Sequence, residues 1–166
     1  MDEKPTGYKP FDTDAYLQFS PLERIVRTKI LIPNHQLIKN PEPYGIDLLV
    51  VNAEGIQGGI EVESHEKYWT KEFPFDTVHF LGRKQKYTGE NNFYLMCSKN
   101  NANAVVINFL RLTDDLRIIN DNENCIEEPM YDVPRDQCVF GWTAIAEHLD
   151  SHFNRNKEPE NLSEWM

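Results

Sequence analysis

No run of about 18 apolar residues occurs anywhere in the 166-residue chain, which excludes a membrane-spanning helix. The start, Met1-Asp2-Glu3-Lys4-Pro5, has neither the basic residues nor the apolar stretch of a signal peptide, so a cytoplasmic protein is expected. Cysteine is scarce. Cys97, Cys125 and Cys138 are odd in number and form no Cys-x-x-Cys pair, which leaves no disulfide framework and no zinc knuckle and predicts reduced, packed thiols. Gly58-Gly59 is not a phosphate loop, because neither the further glycines nor the Lys-Ser/Thr of that motif follow. Basic residues are outnumbered, 17 Lys and Arg against 27 Asp and Glu, so the net charge of −10 gives no electrostatic footprint for nucleic acid over the whole molecule. The deficit is local. Residues 1–113 carry 13 basic and 14 acidic side chains, whereas residues 114–166 carry 4 and 13. A nearly neutral body retains room for a basic patch. The acidic 114–166 segment offers an interaction surface for a protein partner.

The length fits one core. The expected layout is an N-terminal arm over residues 1–19, one domain over 20–153 and a polar tail over 154–166. Ser20-Pro21-Leu22-Glu23 begins a helix, with Ser as N-cap, Pro in the first turn and Glu completing a capping box. Pro33-Asn34 stops it after about Ile32. Ile46-Asp47-Leu48-Leu49-Val50-Val51 and Gly58-Gly59-Ile60-Glu61-Val62-Glu63 flank the turn Asn52-Ala53-Glu54-Gly55 and read as a hairpin. Further strands are predicted over 77–81, 93–97 and 105–110, with a short one near 137–140. The stretch 114–138 reads as acidic and irregular, and a closing helix runs from Trp142 to Phe153 with Ile145, Leu149 and Phe153 on one stripe.

Side chains alternate along a strand, so Glu61 and Glu63 share one face while Ile60 and Val62 take the other. Pairing about position 54 sets Asp47 opposite Glu61 and makes Ile46, Leu48 and Val50 continuous with Ile60 and Val62. Three carboxylates on one face repel, and the choice lies between a solvated face of ordinary acids and a set of oxygen ligands for a hard cation such as Mg²⁺.

Helix, Asp47 on a strand, turn, then Glu61-Val62-Glu63 on the next strand resembles the core motif of the PD-(D/E)xK nuclease superfamily, with Glu63 in place of the usual lysine. Trp69, the run Phe73-Pro74-Phe75-Asp76-Thr77-Val78-His79-Phe80 and then Arg83-Lys84-Gln85-Lys86 are similar to members of the superfamily in the same order. The resemblance covers roughly residues 20–110. It implies a restriction-endonuclease-like α/β fold, a central mixed sheet of about four to five strands flanked by helices. It also implies a Mg²⁺- or Mn²⁺-dependent nuclease acting on DNA, with Asp47, Glu61 and Glu63 as metal ligands and Lys84 as the electrostatic helper. Arg83, Lys86 and His65 are then nucleic-acid contacts, and a homodimer is the natural way to cut both strands. The alternative is a catalytically silent relative that binds nucleic acid or protein. Glu23 is a possible accessory ligand already explained by its capping box. His148 and His152, neighbours on one helical face without the intervening Glu of a zincin, read as surface histidines.

Overall fold

The computed structural model describes residues 19–120 and 128–155. The expected arm up to residue 18, Cys125, Trp165 and the tail beyond residue 155 lie outside the described residues. Helix α1 (Pro21–Lys29) has the predicted capping box, Ser20 Oγ accepting from the Glu23 N–H and Glu23 Oε1 from the Ser20 N–H. It ends earlier than Pro33 requires. Ile30 and Ile32 are buried while Leu31 is exposed, the period of extended chain, and burying two isoleucines outweighs one more helical turn. Asn34, at a φ of 67°, then turns the chain into β1 (Gln36–Lys39).

The strands are β2 (Leu48–Asn52), β3 (Gly55–Ser64), β4 (Thr77–Leu81), β5 (Asn92–Cys97), β6 (Ala104–Asn108), β7 (Arg117–Asn120), β8 (Glu128–Pro134) and β9 (Val139–Phe140), and α2 (Trp142–Asn154) closes the described chain. Six of them form a mixed sheet in the order β1-β2-β3-β5-β6-β9, in which only β3 and β5 run parallel. The other three form an antiparallel sheet, β4-β8-β7. The architecture is therefore mixed α/β.

Alternation divides the core in two. Leu48, Val50, Ile60, Phe93, Leu95, Cys97, Ala104 and Val106 face one way and are covered by Val26 of α1, Ile30 just after it, and Ile145 and Leu149 of α2. Leu49, Tyr94, Met96, Val105 and Ile107 face the other way and are covered by Val78 and Phe80 of β4 and Tyr131 and Val133 of β8. Both helices thus lie on one face, and a second sheet occupies the face where the expected layout has a helix. Six strands replace the four to five expected.

Within the stretch expected to be irregular, the described residues form the two strands β7 and β8, while 121–127 lie outside the described residues. Tyr131 and Val133, buried every second residue, anchor β8 beneath the first sheet. The alternation there was obscured by the surrounding charges. Both described thiols are pushed up to about 12, Cys97 by burial and Cys138 by burial and then the nearby Asp136, which keeps them protonated and inert. None of the described helices is long and apolar enough to cross a membrane.

Candidate functional site

The β2–β3 hairpin pairs Leu48 with Ile60, Leu49 with Gly59 and Val50 with Gly58, the register expected about position 54, until a bulge after Val50 shortens the turn. Continuing that register outward sets Asp47 against Glu61. The main-chain ladder stops there, and two side chains replace the next rung. The Asp47 N–H donates to Glu61 Oε1 at 3.2 Å, and the Val62 N–H donates to Asp47 Oδ2 at 2.9 Å. Each carboxylate is thereby fixed by the other residue's strand. Asn40 holds the approach to Asp47, its amide donating to the Ile46 carbonyl at 2.9 Å and its own N–H to the Asp47 carbonyl at 3.2 Å. This detour also turns Ile46 out of the alternation, so it packs with the second-sheet cluster rather than with Leu48 and Val50.

Glu61 does not stand on a solvated face. It is 2% exposed, beneath the second sheet, and an isolated carboxylate there would be expensive. Lys84 answers it. Its Nζ lies 2.5 Å from Glu61 Oε2. The lysine reaches the carboxylate because β4 ends at Leu81 and the chain coils at once into a short 3-10 helix (Gly82–Tyr87). Gly82 permits that turn, since a Cβ on it would sit 2.8 Å from the Pro129 carbonyl.

Electrostatics follow from burial. Glu61 is raised to about 7, first by desolvation, with the Lys84 contact opposing and the charge of Asp47 adding to it. Asp47 is raised for the same leading reason, eased by the Val62 N–H and reinforced by Glu23. Lys84 is pulled down by its own burial, but the bond to Glu61 and the charges of Glu61, Glu63 and Asp47 outweigh this and leave it raised. The cluster therefore sets two carboxyl groups of raised proton affinity beside one ammonium, and a cation bound there would displace protons from the carboxyls. Two hard carboxyl oxygens side by side are the donor type that Mg²⁺ takes from a protein, which supplies it with one or two carboxylates while several waters stay bound. A cage built wholly from protein does not fit: among the described residues no group of three or more His, Cys, Asp or Glu is arranged to hold an ion.

The other predicted residues fall around this centre. Glu63 projects from the same face as Glu61 but is engaged by the Tyr94 hydroxyl, which donates to its Oε1. Burial and the Glu63 carboxylate push the Tyr94 hydroxyl far up, so it remains a donor. Lys86 and Arg83 are exposed on the 3-10 helix, Lys86 over the Tyr87 ring at 5.1 Å. His65 follows the end of β3, edge-on to Trp69 and Phe73 at 5.2 and 5.5 Å, with its N–H on the Cys97 carbonyl and its ring lowered by burial. Glu23 is buried against Lys39 at 2.9 Å. His148 and His152 pack edge-on against Phe93. Tyr94 was not singled out from the sequence, because its partnership with Glu63 depends on the parallel β3–β5 pairing across a long crossover.

Comparison with family models, with curated proteins and with solved structures finds no match for this chain.

Proposed function

We propose that the chain is a metal-dependent phosphodiesterase of restriction-endonuclease-like fold, hydrolysing DNA at the Asp47–Glu61–Lys84 cluster. One observation carries this reading: Lys84, remote in sequence, places its ammonium 2.5 Å from Glu61, beside Asp47, in a chain whose Glu61-Val62-Glu63 motif lacks its own lysine. Asp47 and Glu61 would hold Mg²⁺ or Mn²⁺. The ion, when bound, lowers the pKa of a water and polarises the phosphate. The Val62 N–H and Asp47 N–H keep the two carboxylates oriented without rearrangement. Lys84 stands ready to stabilise the negative charge that grows on the phosphoryl oxygens as water attacks phosphorus and the P–O bond breaks. Glu63, locked by Tyr94, is positioned to orient water, and Arg83 and Lys86 to contact flanking phosphates.

A catalytically silent binding module is favoured instead by the mutual neutralisation of Glu61 and Lys84, which is also how a purely structural ion pair looks. Incubation with plasmid, linear and single-stranded DNA separates the two. The expected result is cleavage in Mg²⁺ or Mn²⁺, none in EDTA, and none by Asp47→Ala whose circular dichroism matches wild type. Indistinguishable behaviour of wild type and Asp47→Ala on all three substrates would sink the enzyme reading.

A further inference from the structure

The carboxylate cluster adjoins a cavity of about 410 Å³ between the far ends of β3 and β5 and the second sheet, lined among others by Glu63, His65, Phe73, Phe75, Met96 and Met130. Its size lies in the range of sites that enclose a small organic group, roughly 300–1,000 Å³. We propose that this cavity receives one unpaired nucleobase of the strand being cut, so that the preferred substrate is single-stranded or offers a displaced nucleotide beside the scissile phosphate. The inference rests on the phosphodiesterase reading above and names the substrate class of that site.

Four features carry it. Glu63 belongs to both places, two residues beyond Glu61 on the same face of β3 and at the cavity wall, so a base in the cavity and a phosphate at Glu61 are neighbours on one strand. Phe73, Phe75, Met96 and Met130 give the wall an apolar part suited to stacking, beside the charged Glu63, Glu66 and Lys67. Phe75 is 45% exposed, and its ring meets the buried Phe73 at 5.5 Å, edge to face, leaving a flat apolar surface open to solvent that the core does not use. Glu63 accepts the Tyr94 hydroxyl at one oxygen, and a carboxylate retains capacity for an N–H of a base edge, the contact that completes recognition of an extruded base. A base inside a duplex stack cannot enter a cavity between two sheets. With a net charge of −10 the molecule has little general attraction for phosphate backbone, so stacking must supply affinity that a basic protein would draw from counterion release.

The test is a fluorescence titration of wild-type protein with oligonucleotides carrying 2-aminopurine, in EDTA and again in Ca²⁺, alongside cleavage assays in Mg²⁺. Single strands are expected to bind about tenfold or more tightly than the same sequence in a duplex. An unlabelled strand with an abasic residue in place of 2-aminopurine, read by competition against the labelled strand, loses that preference. Phe75→Ala weakens single-strand binding about tenfold, and Phe75→Trp restores it, which distinguishes lost stacking from lost folding. Equal affinity of wild type and Phe75→Ala for single strands overturns the base site and, if wild type still cleaves, leaves the phosphodiesterase reading standing. Single-strand binding that depends on Phe75, without cleavage of any substrate, overturns the enzyme reading and retains the base site. Absence of oligonucleotide binding in both buffers overturns both.

Discussion

At the scale of single residues the decisive contact is Lys84 on Glu61, because it compensates a buried carboxylate and, in the proposed function, also supplies the catalytic cation. A buried carboxylate that loses its cation is left uncompensated, and breaking such a pair is costly even where the pair itself adds little. With the Lys84 side chain 23% exposed, Lys84→Met is expected to destabilise by about 1–3 kcal/mol, the scale of a hydrogen bond to a charged group. Glu61→Gln in the same chain removes the orphaned charge and recovers most of that loss in a denaturant titration. On the proposed phosphodiesterase function kcat is expected to fall by about 10²-fold in Lys84→Met, the scale of one lost electrostatic donor, without recovery in the double variant. Recovery of both properties together would make the pair structural only. The sequence made Asp47 and Glu61 legible as neighbours, since alternation and a short turn leave little choice of register. Lys84 was singled out as the helper, with Arg83 and Lys86 as phosphate contacts, on the resemblance rather than on any period in the sequence. Which of the three turns inward is decided by the 3-10 helix after β4, and six polar residues carry no apolar period that announces one.

At the scale of elements, what was readable was what repeats. The capping box, the hairpin, β5, β6 and α2 each show an unbroken apolar period or a cap, and each is present. β1, β7 and β8 escaped because four-residue edge strands, and a strand set in an acidic stretch, carry too few apolar positions to establish a period. Gly58-Gly59 was set aside as a phosphate loop, and its purpose is a close approach. A Cβ on Gly58 would lie 2.1 Å from the Asn91 carbonyl oxygen, and one on Gly59 2.8 Å from Ile46 Cγ2. The Gly59 N–H donates to that same Asn91 carbonyl at 3.2 Å, so the backbone cannot simply retreat. Gly58→Ala is therefore expected to cost about 1–3 kcal/mol, the usual range for overpacking, and to lower the melting temperature by several degrees. Gly89→Ala, whose Cβ meets only the Asn92 side chain at 3.1 Å, serves as the control and should stay within a degree or two of wild type in calorimetry. Equal melting temperatures for the two variants would contradict the close-approach account.

At the scale of the whole molecule, two cores back to back explain why Glu61 is buried at all: the sheet has no free face, so an acid on β3 must be either paired or put to use. The same layering constrains the far side. His148 and His152 on α2 are wedged edge-on against Phe93 at 5.9 and 4.9 Å. Both are lowered from the ordinary histidine value of 6.5, chiefly by burial, with Arg111 adding to it at His148, and Arg155 and His148 adding to it at His152 while Glu90 opposes. Arg111 and Arg155 line the same hollow as the two rings together with Glu90, and Asp136 lines a neighbouring hollow with His148. A histidine depressed in the fold binds fewer protons there than in the unfolded chain. Its contribution to stability is therefore complete above pH 6.5 and is lost as the pH falls through the depressed folded value. The part of the melting temperature that these two histidines set is expected to fall as the pH is lowered from 6.5 toward about 5, the lower end of the range in which histidine acts as a switch. Substituting Gln at both positions removes the two titrating groups while keeping polar side chains of similar reach, so the double variant should show a flatter profile over that window and little change above it. Asp47 and Glu61 pull the other way, because protonating raised carboxyls on acidification favours the fold, and the comparison is therefore made between variant and wild type at each pH rather than along either curve alone. Parallel profiles for the two proteins would show that the histidines on α2 titrate alike in the folded and unfolded chain.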